Sequence, residues 1–383
     1  VDLPHDWVVD LPYSSEASHS HGYKMVGWRY PENSVGWYRK HFTIGREMEG
    51  KHIYVVFDAI FRDAQVFCNG FYLGHEPSGY ISQVYDITEY LNYGGDNVLT
   101  VRADASTEEG WYYEGAGIPG NVKLYATAPL HVAHFGTQVT TDIADDYSRA
   151  AINISTTIRN TRLSDDSATV RHTLLDADGT VAAQSKGVNC HVGYKSENTV
   201  RESITLPNPH LWQLDNPYLY TIITDVIDKQ GETIDTYTTR IGVRTIKFDA
   251  DSGFMLNGKR VKIKGTNMHL DHAGVGTAVG RELWRYRINR LKWMGSNAIR
   301  SSHNPASPDM LDLCDEMGML VIDENRPMGI NEEQLRQLRS MIVRDRNHPC
   351  IILWSIGNEE WAIEGTPGGE KIARSMCAHV HRL

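Results

Sequence analysis

The sequence has no excess of positive charge and no long hydrophobic run. Its 383 residues include 38 Lys and Arg against 48 Asp and Glu, which gives a formal net charge of −10. An acidic chain without basic clusters is a poor match to nucleic acid or to an anionic membrane surface. No apolar segment approaches the ~20 residues that a transmembrane helix needs. The sequence therefore predicts no nucleic-acid partner and no membrane partner.

Cysteine is scarce, and the five residues are scattered: Cys68, Cys190, Cys314, Cys350 and Cys377. Their odd number and the lack of a CxxC pair exclude a disulfide framework, so we expect buried free thiols. The chain begins at VDLPHDW without a recognisable targeting segment. We expect that this start is trimmed, so the sequence predicts no cellular compartment.

Residues 1–130 consist of short alternating runs separated by tight turns. The turn at Asn69 and Gly70, flanked by strand-forming residues, is typical of a two-residue hairpin, because both positions tolerate a positive φ. Many short strands at this spacing predict a β-sandwich of the jelly-roll type.

Residues 131–246 are again β-rich and contain no group of catalytic side chains. Residues 151–158 alternate, and glycine turns stand at residues 178–179 and 229–231. About seven strands in about 115 residues predict an immunoglobulin-like β-sandwich. We interpret it as the unit that orients the first part of the chain against the third.

Residues 247–383 change to strands that alternate with helices. A hairpin around residues 254–261 comes first. Four strand–helix units follow, with strands predicted near residues 262–268, 297–301, 319–322 and 351–356. Such alternation predicts a parallel sheet, here the first half of a (β/α)8 TIM barrel. The run at residues 351–356 does not alternate, so both of its faces should be covered. Half a barrel leaves strand edges open, which favours self-association or a homo-oligomer.

Asn358 and Glu359 follow directly after that apolar run. In a barrel, the carboxyl ends of the strands are where active sites are built. A carboxylic acid held there can give a proton to a leaving oxygen, and a neighbouring amide can bind a sugar hydroxyl. Taken alone, the pair is equally consistent with a helix N-cap followed by a first-turn acid.

Two longer motifs decide between these interpretations. One is DRNHP at residues 345–349 together with WSIGNE at residues 354–359. The other is NAIRSSHNP at residues 297–305, followed by Asp315 and GMLVI at residues 318–322. Both resemble signatures of glycoside hydrolase family 2, which contains β-galactosidases, β-glucuronidases and β-mannosidases. The resemblance extends over essentially the whole chain, and residues 1–130 resemble the family's sugar-binding-like domain.

The resemblance implies a role for each polar residue at the strand ends. Glu359 matches the general acid/base of a retaining glycosidase. Asn358 matches the partner of the sugar 2-hydroxyl, and His303 and His269 match residues that bind the sugar. Arg300 matches the arginine that keeps the nucleophile ionised.

A retaining glycosidase also needs a carboxylate nucleophile about 5 Å from the acid/base. The resemblance implies that this glutamate follows a later strand, beyond Leu383, so we expect the 383 residues alone to be inactive. Asp323 and Glu324 lie at a strand end and are the local substitutes for this nucleophile, but we interpret them as residues that support the site or the fold. Residues 111–122 resemble the loop that reaches the barrel in this family, although Pro119 and Gly120 stand where many members have an aromatic residue and an arginine.

We expect no cofactor and no metal. Some family β-galactosidases bind magnesium through Glu-x-His after the third strand, where this chain reads NRPMG at residues 325–329. His269, His272 and His303 can converge, but their spacing forms no recognisable ligand set. The motif HLDHAGVG at residues 269–276 resembles the β-galactosidase-like branch, which implies an oligosaccharide or β-galactoside substrate. The alternatives are a β-glucuronidase, a β-mannosidase and a carbohydrate-binding protein without activity.

Overall fold

The computed structural model describes all residues from 1 to 383. The first part of the chain consists of short strands. The nine strands are β1 (His5–Asp6), β2 (Val35–Thr43), β3 (His52–Phe57), β4 (Ala64–Cys68), β5 (Phe71–Glu76), β6 (Gln83–Asp86), β7 (Asp96–Asp104), β8 (Gly117–Ile118) and β9 (Val122–Thr127). The helical turns are α1 (Pro31–Ser34) and the 3-10 helices Trp7–Asp10, His19–His21, Arg46–Met48 and Thr88–Tyr90.

Two antiparallel sheets, in the orders β2-β7-β4-β5 and β6-β3-β9, form this first unit. Their facing side chains, among them Ile53, Phe57 and Val66, make one buried cluster, as expected for a sandwich. Asn69 (φ +50°) and Gly70 (φ +85°) form the β4–β5 turn. The predicted hairpin is therefore confirmed, with both positions in the left-handed region.

The second unit is a sandwich of eight strands: β10 (Leu130–Ile143), β11 (Arg149–Asn160), β12 (Asp166–Leu175), β13 (Val181–Gln184), β14 (Val188–Val192), β15 (Glu197–Pro207), β16 (Tyr220–Ile227) and β17 (Thr233–Ile241). The count exceeds the predicted seven because β13 and β14 both pair with β12. They are separated by a bend that includes Gly187 (φ +85°). The opposite sheet has the order β10-β11-β15.

The third unit opens with a small antiparallel sheet and continues as four strand–helix pairs. Its elements are β18 (Ile246–Asp249), β19 (Gly253–Leu256), β20 (Lys259–Arg260), β21 (Gly265–Met268), α2 (Arg281–Trp293), β22 (Ala298–Ser301), α3 (Pro308–Met317), β23 (Leu320–Glu324), α4 (Glu332–Asp345), β24 (Ile351–Ser355) and α5 (Pro367–Val380). Strands β21 to β24 are parallel and adjacent in chain order. The predicted multidomain fold of two β-sandwiches and the first strands of a (β/α) barrel is confirmed.

Local sequence explains where the barrel helices begin and end. Ser307 precedes α3, Pro308 occupies its first position, and Gly318 (φ +68°) ends it in the left-handed conformation. The side chain of Asn331 caps α4 by accepting from the main-chain N–H of Gln334. The longest helices, α4 and α5, have 14 residues each, too few to cross a bilayer.

The helices cover one face of the parallel sheet and leave the other open. Asn267, Arg300, Ile322 and Leu353 stand side by side in register across the four strands, so their side chains share one face. Asn267 and Leu353 are exposed on it. The expectation that both faces of the last strand are covered is therefore wrong for Leu353. The open face is the one on which the polar residues of the next section lie.

Candidate active site

Glu324 is the most heavily bonded carboxylate on the open face of the sheet. It ends β23 and is completely buried. Arg300 Nε donates to its Oε2 over 2.8 Å, and Ser355 Oγ donates to the same oxygen over 2.7 Å. His303 Nδ1 donates to Oε1 over 2.9 Å. The three donors come from β22, β24 and the loop after β22, so Glu324 ties three neighbouring segments together.

Asn358 joins this network, and Glu359 does not. Arg300 Nη2 donates to Asn358 Oδ1 over 2.6 Å, whereas the buried Asn358 Nδ2 has no partner. Glu359 is exposed and has a φ of +46°, an uncommon conformation for a residue other than glycine. The carboxylate of Glu359 is engaged in no hydrogen bond or ion pair. The strand end therefore presents one amide donor and one carboxylate that are free for a ligand.

His269 and His303 meet at the mouth of the sheet, after β21 and β22. Their rings lie edge to face with centroids 5.4 Å apart. Tyr112, from the loop between β7 and β8 of the first unit, stacks on His269 at 4.9 Å. Burial lowers the pKa of His269, and the free Nδ1 of that ring is buried without a partner. A largely neutral imidazole of this kind suits hydroxyl groups, because it can donate at one nitrogen and accept at the other.

Beneath this network lies a second buried acid, Asp323. It accepts from the main-chain N–H of Ala306 over 2.9 Å and is fully buried. Burial raises the pKa of Asp323 well above its usual range, and the Asp345 carboxylate adds to the effect. Asp345 is itself paired with Arg344. These contacts place Asp323 under the site rather than in it, in agreement with its interpretation as structural.

A group with metal-compatible side chains lies further from the site. Asp315, His348 and Cys350 offer ligand atoms within 4.8 Å of one another. Asp315 is already engaged at both oxygens, because Oδ1 accepts from the Cys350 N–H and Oδ2 accepts from His348. Burial works against a charged His348, but the Asp315 carboxylate outweighs it and raises the pKa of His348 to about 9. We interpret the group as an ion pair that fastens α3 to the loop before β24.

Of the two carboxylates that a retaining glycosidase uses, this arrangement offers one, Glu359. Glu359 is free to exchange a proton with a ligand, and Asn358 Nδ2 can donate to it. Glu324 cannot serve as the second carboxylate without breaking its bonds to Arg300, Ser355 and His303. The carboxylate of Glu360 points away from Glu359, with its Oε1 3.7 Å from Nη2 of Arg326.

The structure brings together four of the five residues singled out from the sequence. Arg300, Asn358, His303 and His269 are linked by direct hydrogen bonds, by ring contacts or through Glu324, and Glu359 follows Asn358 on the open side. Their catalytic and sugar-binding roles remain predictions. His272 takes no part in these contacts and pairs instead with the main chain at Gly276.

Sequence reasoning missed two parts of the site. One is Glu324 as the centre of the network, which no local pattern reveals, because its three donors come from segments 21 to 31 residues away. The other is Tyr112, since the loop was compared at Pro119 and Gly120, while the contact is made several residues earlier. The cluster of aromatic residues at 111–113 was the available signal.

Family models match three consecutive parts of the chain. Residues 28–128 match the sugar binding domain of glycosyl hydrolases family 2, residues 130–244 match glycosyl hydrolases family 2, and residues 249–383 match the family's TIM barrel domain. Together the matches leave only the first residues and two short gaps uncovered.

Curated proteins and solved structures are similar to this chain over nearly all of its length. A beta-galactosidase, BoGH2A of Bacteroides ovatus, is 41% identical over 94% of this chain and 43% of its own length. A putative beta-glucuronidase of Formosa agariphila is 32% identical over 94% of this chain and 34% of its own length. A crystal structure of a glycosyl hydrolase family 2 member from Bacteroides cellulosilyticus superposes with a TM-score of 0.92 and 32% identity, covering 100% of this chain and 51% of that one. The chain thus spans less than half the length of these curated relatives. Its three consecutive matches and its signature residues show that it belongs to glycosyl hydrolase family 2.

Proposed function

We propose that this chain carries the acid/base half of a retaining β-glycosidase, and that the protein hydrolyses terminal β-linked galactosides. The observation that carries the proposal is the state of Glu359. It is an unpaired carboxyl group that follows an amide donor at the carboxyl end of a barrel strand. In the first step it protonates the glycosidic oxygen as the bond to the sugar breaks. In the second step it removes a proton from the attacking water.

The residues around Glu359 supply binding. Asn358 Nδ2 is the donor without a partner and is placed to meet a sugar hydroxyl, while Arg300 fixes the amide by bonding to its oxygen. His269 and His303 line the adjacent side through largely apolar ring faces and a few polar atoms, as sugar sites commonly do. The nucleophile of the pair is proposed to lie outside residues 1–383, because the other two carboxylates that end a strand here, Asp323 and Glu324, are buried and hydrogen-bonded.

Galactoside is proposed over glucuronide because of two observations. The motif at residues 269–276 resembles that of the β-galactosidase-like branch, and the curated relative with 41% identity is named a beta-galactosidase. A glucuronide substrate is the second candidate, favoured by the relatives named as beta-glucuronidases. A charged sugar needs a cation within the sugar site. Arg326, which donates to the main-chain carbonyl of His303, is already close to Glu360, and Arg300 is paired with Glu324.

The test is a substrate panel on the protein expressed from its complete coding sequence, with its intact mass measured beforehand. Nitrophenyl β-galactoside, β-glucuronide and β-mannoside are compared at equal concentration by kcat/KM. We expect the galactoside to be hydrolysed fastest. A higher kcat/KM on the glucuronide would replace the substrate assignment, and saccharide binding without any turnover would overturn the enzymatic proposal.

A further inference from the structure

Tyr112 is the aromatic residue through which the first unit reaches the barrel mouth. Its ring stacks on His269 with an angle of 25° between the planes and lies 5.8 Å from the ring of His303. Its hydroxyl donates to the main-chain carbonyl of His303 over 3.4 Å. The loop therefore touches both histidines of the candidate site, one by its ring and one by its hydroxyl.

The loop that carries Tyr112 is anchored just after this residue. Asp6 accepts from the Ala116 N–H and from the Tyr113 hydroxyl, each over 3.0 Å, and also from the Thr277 N–H over 2.9 Å. One buried carboxylate thus joins the start of the chain, the loop and the barrel segment that follows β21. This anchoring leaves Tyr112 little freedom to leave the histidines.

Behind Tyr112 stands a hydroxyl chain that ends in a buried acid. The Tyr80 hydroxyl lies 3.3 Å from the Tyr112 hydroxyl and 3.3 Å from Glu114 Oε1. Tyr80 is 5% exposed and Glu114 is 1% exposed. A tyrosine hydroxyl has a single proton. If Glu114 were ionised, Tyr80 would donate to it and could not also donate to Tyr112.

All three contacts are satisfied at once when Glu114 is protonated. Glu114 then donates to Tyr80, Tyr80 donates to Tyr112, and Tyr112 donates to His303. The charged groups that face Glu114 are Glu109 and Arg62, which pair with each other over 2.6 Å. The Tyr80 hydroxyl also faces it, and the main-chain N–H of Glu109 donates to both of its oxygens and lowers its pKa. Burial, and after it the Glu109 carboxylate, raise the pKa of Glu114 to about 8. The protonated form is therefore available at neutral pH.

We propose that Tyr112 is a positioning residue of the sugar site, which sets the ring of His269 and the main chain of His303, and that Tyr80 and Glu114 hold its hydroxyl in place. The proposal rests on the proposed function for its effect on catalysis. The structural part of the proposal, that Tyr112 positions His269 and His303, does not depend on the proposed function.

The first test does not need a substrate. The protein is labelled at histidine, and the His269 ring is followed by NMR through a pH titration, with its signal assigned by loss in His269→Asn. Burial lowers the pKa of His269. Removing the stacked ring in Tyr112→Leu should expose the imidazole and raise that pKa. Tyr194→Leu, at an exposed tyrosine of the second unit, is the matched control and should cause no shift. An unchanged His269 titration in folded Tyr112→Leu would overturn the proposal.

The second test uses the substrate that the panel identifies. Tyr112→Leu should lower kcat/KM by about 10- to 100-fold, the loss expected when binding groups are misplaced by about 1 Å. Tyr112→Phe, which keeps the ring stacked on His269 and loses only the hydroxyl contacts, should recover most of it. Equal activity of Tyr112→Leu and the wild type would overturn the catalytic effect. If the wild type hydrolyses none of the glycosides, the proposed function fails, and the titration alone decides the role of Tyr112.

Discussion

Glu324 ends β23 and Glu359 follows the neighbouring strand β24, yet their surroundings are opposite. Glu324 is completely buried and accepts from Arg300, His303 and Ser355. Glu359 is exposed and has no partner. A carboxylate that is saturated with donors organises a site and is poorly suited to transfer a proton. A free carboxylate is suited to that transfer and contributes little to the fold. Two glutamates at neighbouring strand ends can therefore have different roles. The hydrogen bonds that each carboxylate already accepts indicate which role it has.

The largest expected effect is on turnover at Glu359. Glu359→Gln removes the transferable proton and keeps the shape of the side chain, so kcat should fall by about 10²- to 10⁴-fold. The measurement is the steady-state hydrolysis of a nitrophenyl β-galactoside. Glu364→Gln, at an exposed glutamate just beyond the site, is the control and should retain activity. If Glu359→Gln retained its activity, Glu359 would not be the proton donor, and the comparison with Glu324 would fail.

The opposite effect is expected at Glu324. Glu324→Gln leaves Arg300 facing a neutral amide in a partly buried position, and breaking such a pair costs about 3–5 kcal/mol of unfolding free energy. Urea unfolding followed by tryptophan fluorescence measures it. Glu359→Gln, an exposed change without broken contacts, should stay within about 0.5 kcal/mol of the wild type. Similar losses in both variants would contradict the account of a bound and a free carboxylate.

The ion pair of His348 and Asp315 is a second engaged carboxylate, and its contribution to stability should depend on pH. His348 has a pKa of about 9 next to Asp315, against about 6.5 for an unfolded histidine. The stabilisation from this pair is therefore fully present below pH 6.5 and is lost as the pH rises through 9. Asp315→Asn should lower the unfolding free energy most near pH 6 and least near pH 10. Unfolding at several pH values tests this, and a loss that does not vary with pH would contradict the ion pair.

The last prediction concerns Glu114, where the substitution should stabilise the protein instead of destabilising it. Folded Glu114 holds its proton up to about pH 8, whereas an unfolded glutamate loses it near about pH 4.3. The wild type therefore loses stability as the pH rises between these values, and Glu114→Gln, which has no proton to lose, does not. The melting temperature of the variant should exceed that of the wild type near pH 8 and match it near pH 4. A lower melting temperature at pH 8 would contradict a buried neutral acid.

Much of the fold was readable because its signals are local. The Asn69–Gly70 and Asn257–Gly258 turns, the Ser307–Pro308 helix start and the Gly318 helix end each depend on the φ values that those residues allow. The parallel order of the four barrel strands follows from the alternation of strands and helices. Leu353 was misplaced because an apolar run does not show whether a second layer covers it.

The candidate site could be predicted from the sequence only where its residues lie close together along the chain. Arg300, His303, Asn358 and Glu359 lie within two contiguous motifs, so a resemblance carries them together. Glu324 receives its importance from donors on other strands, and Tyr112 from the packing of the first unit on the barrel. Such contacts join distant parts of the chain, and neither periodicity nor spacing encodes them.

The most direct measurement compares leaving groups in wild type and Glu359→Ala. A dinitrophenolate leaves without a proton, whereas the alcohol of an alkyl β-galactoside needs one from the general acid. If Glu359 supplies that proton, the variant should lose far more activity on the alkyl galactoside than it loses in the glycosylation step of the dinitrophenyl galactoside. An equal loss on both substrates would contradict the assignment of Glu359 as the general acid.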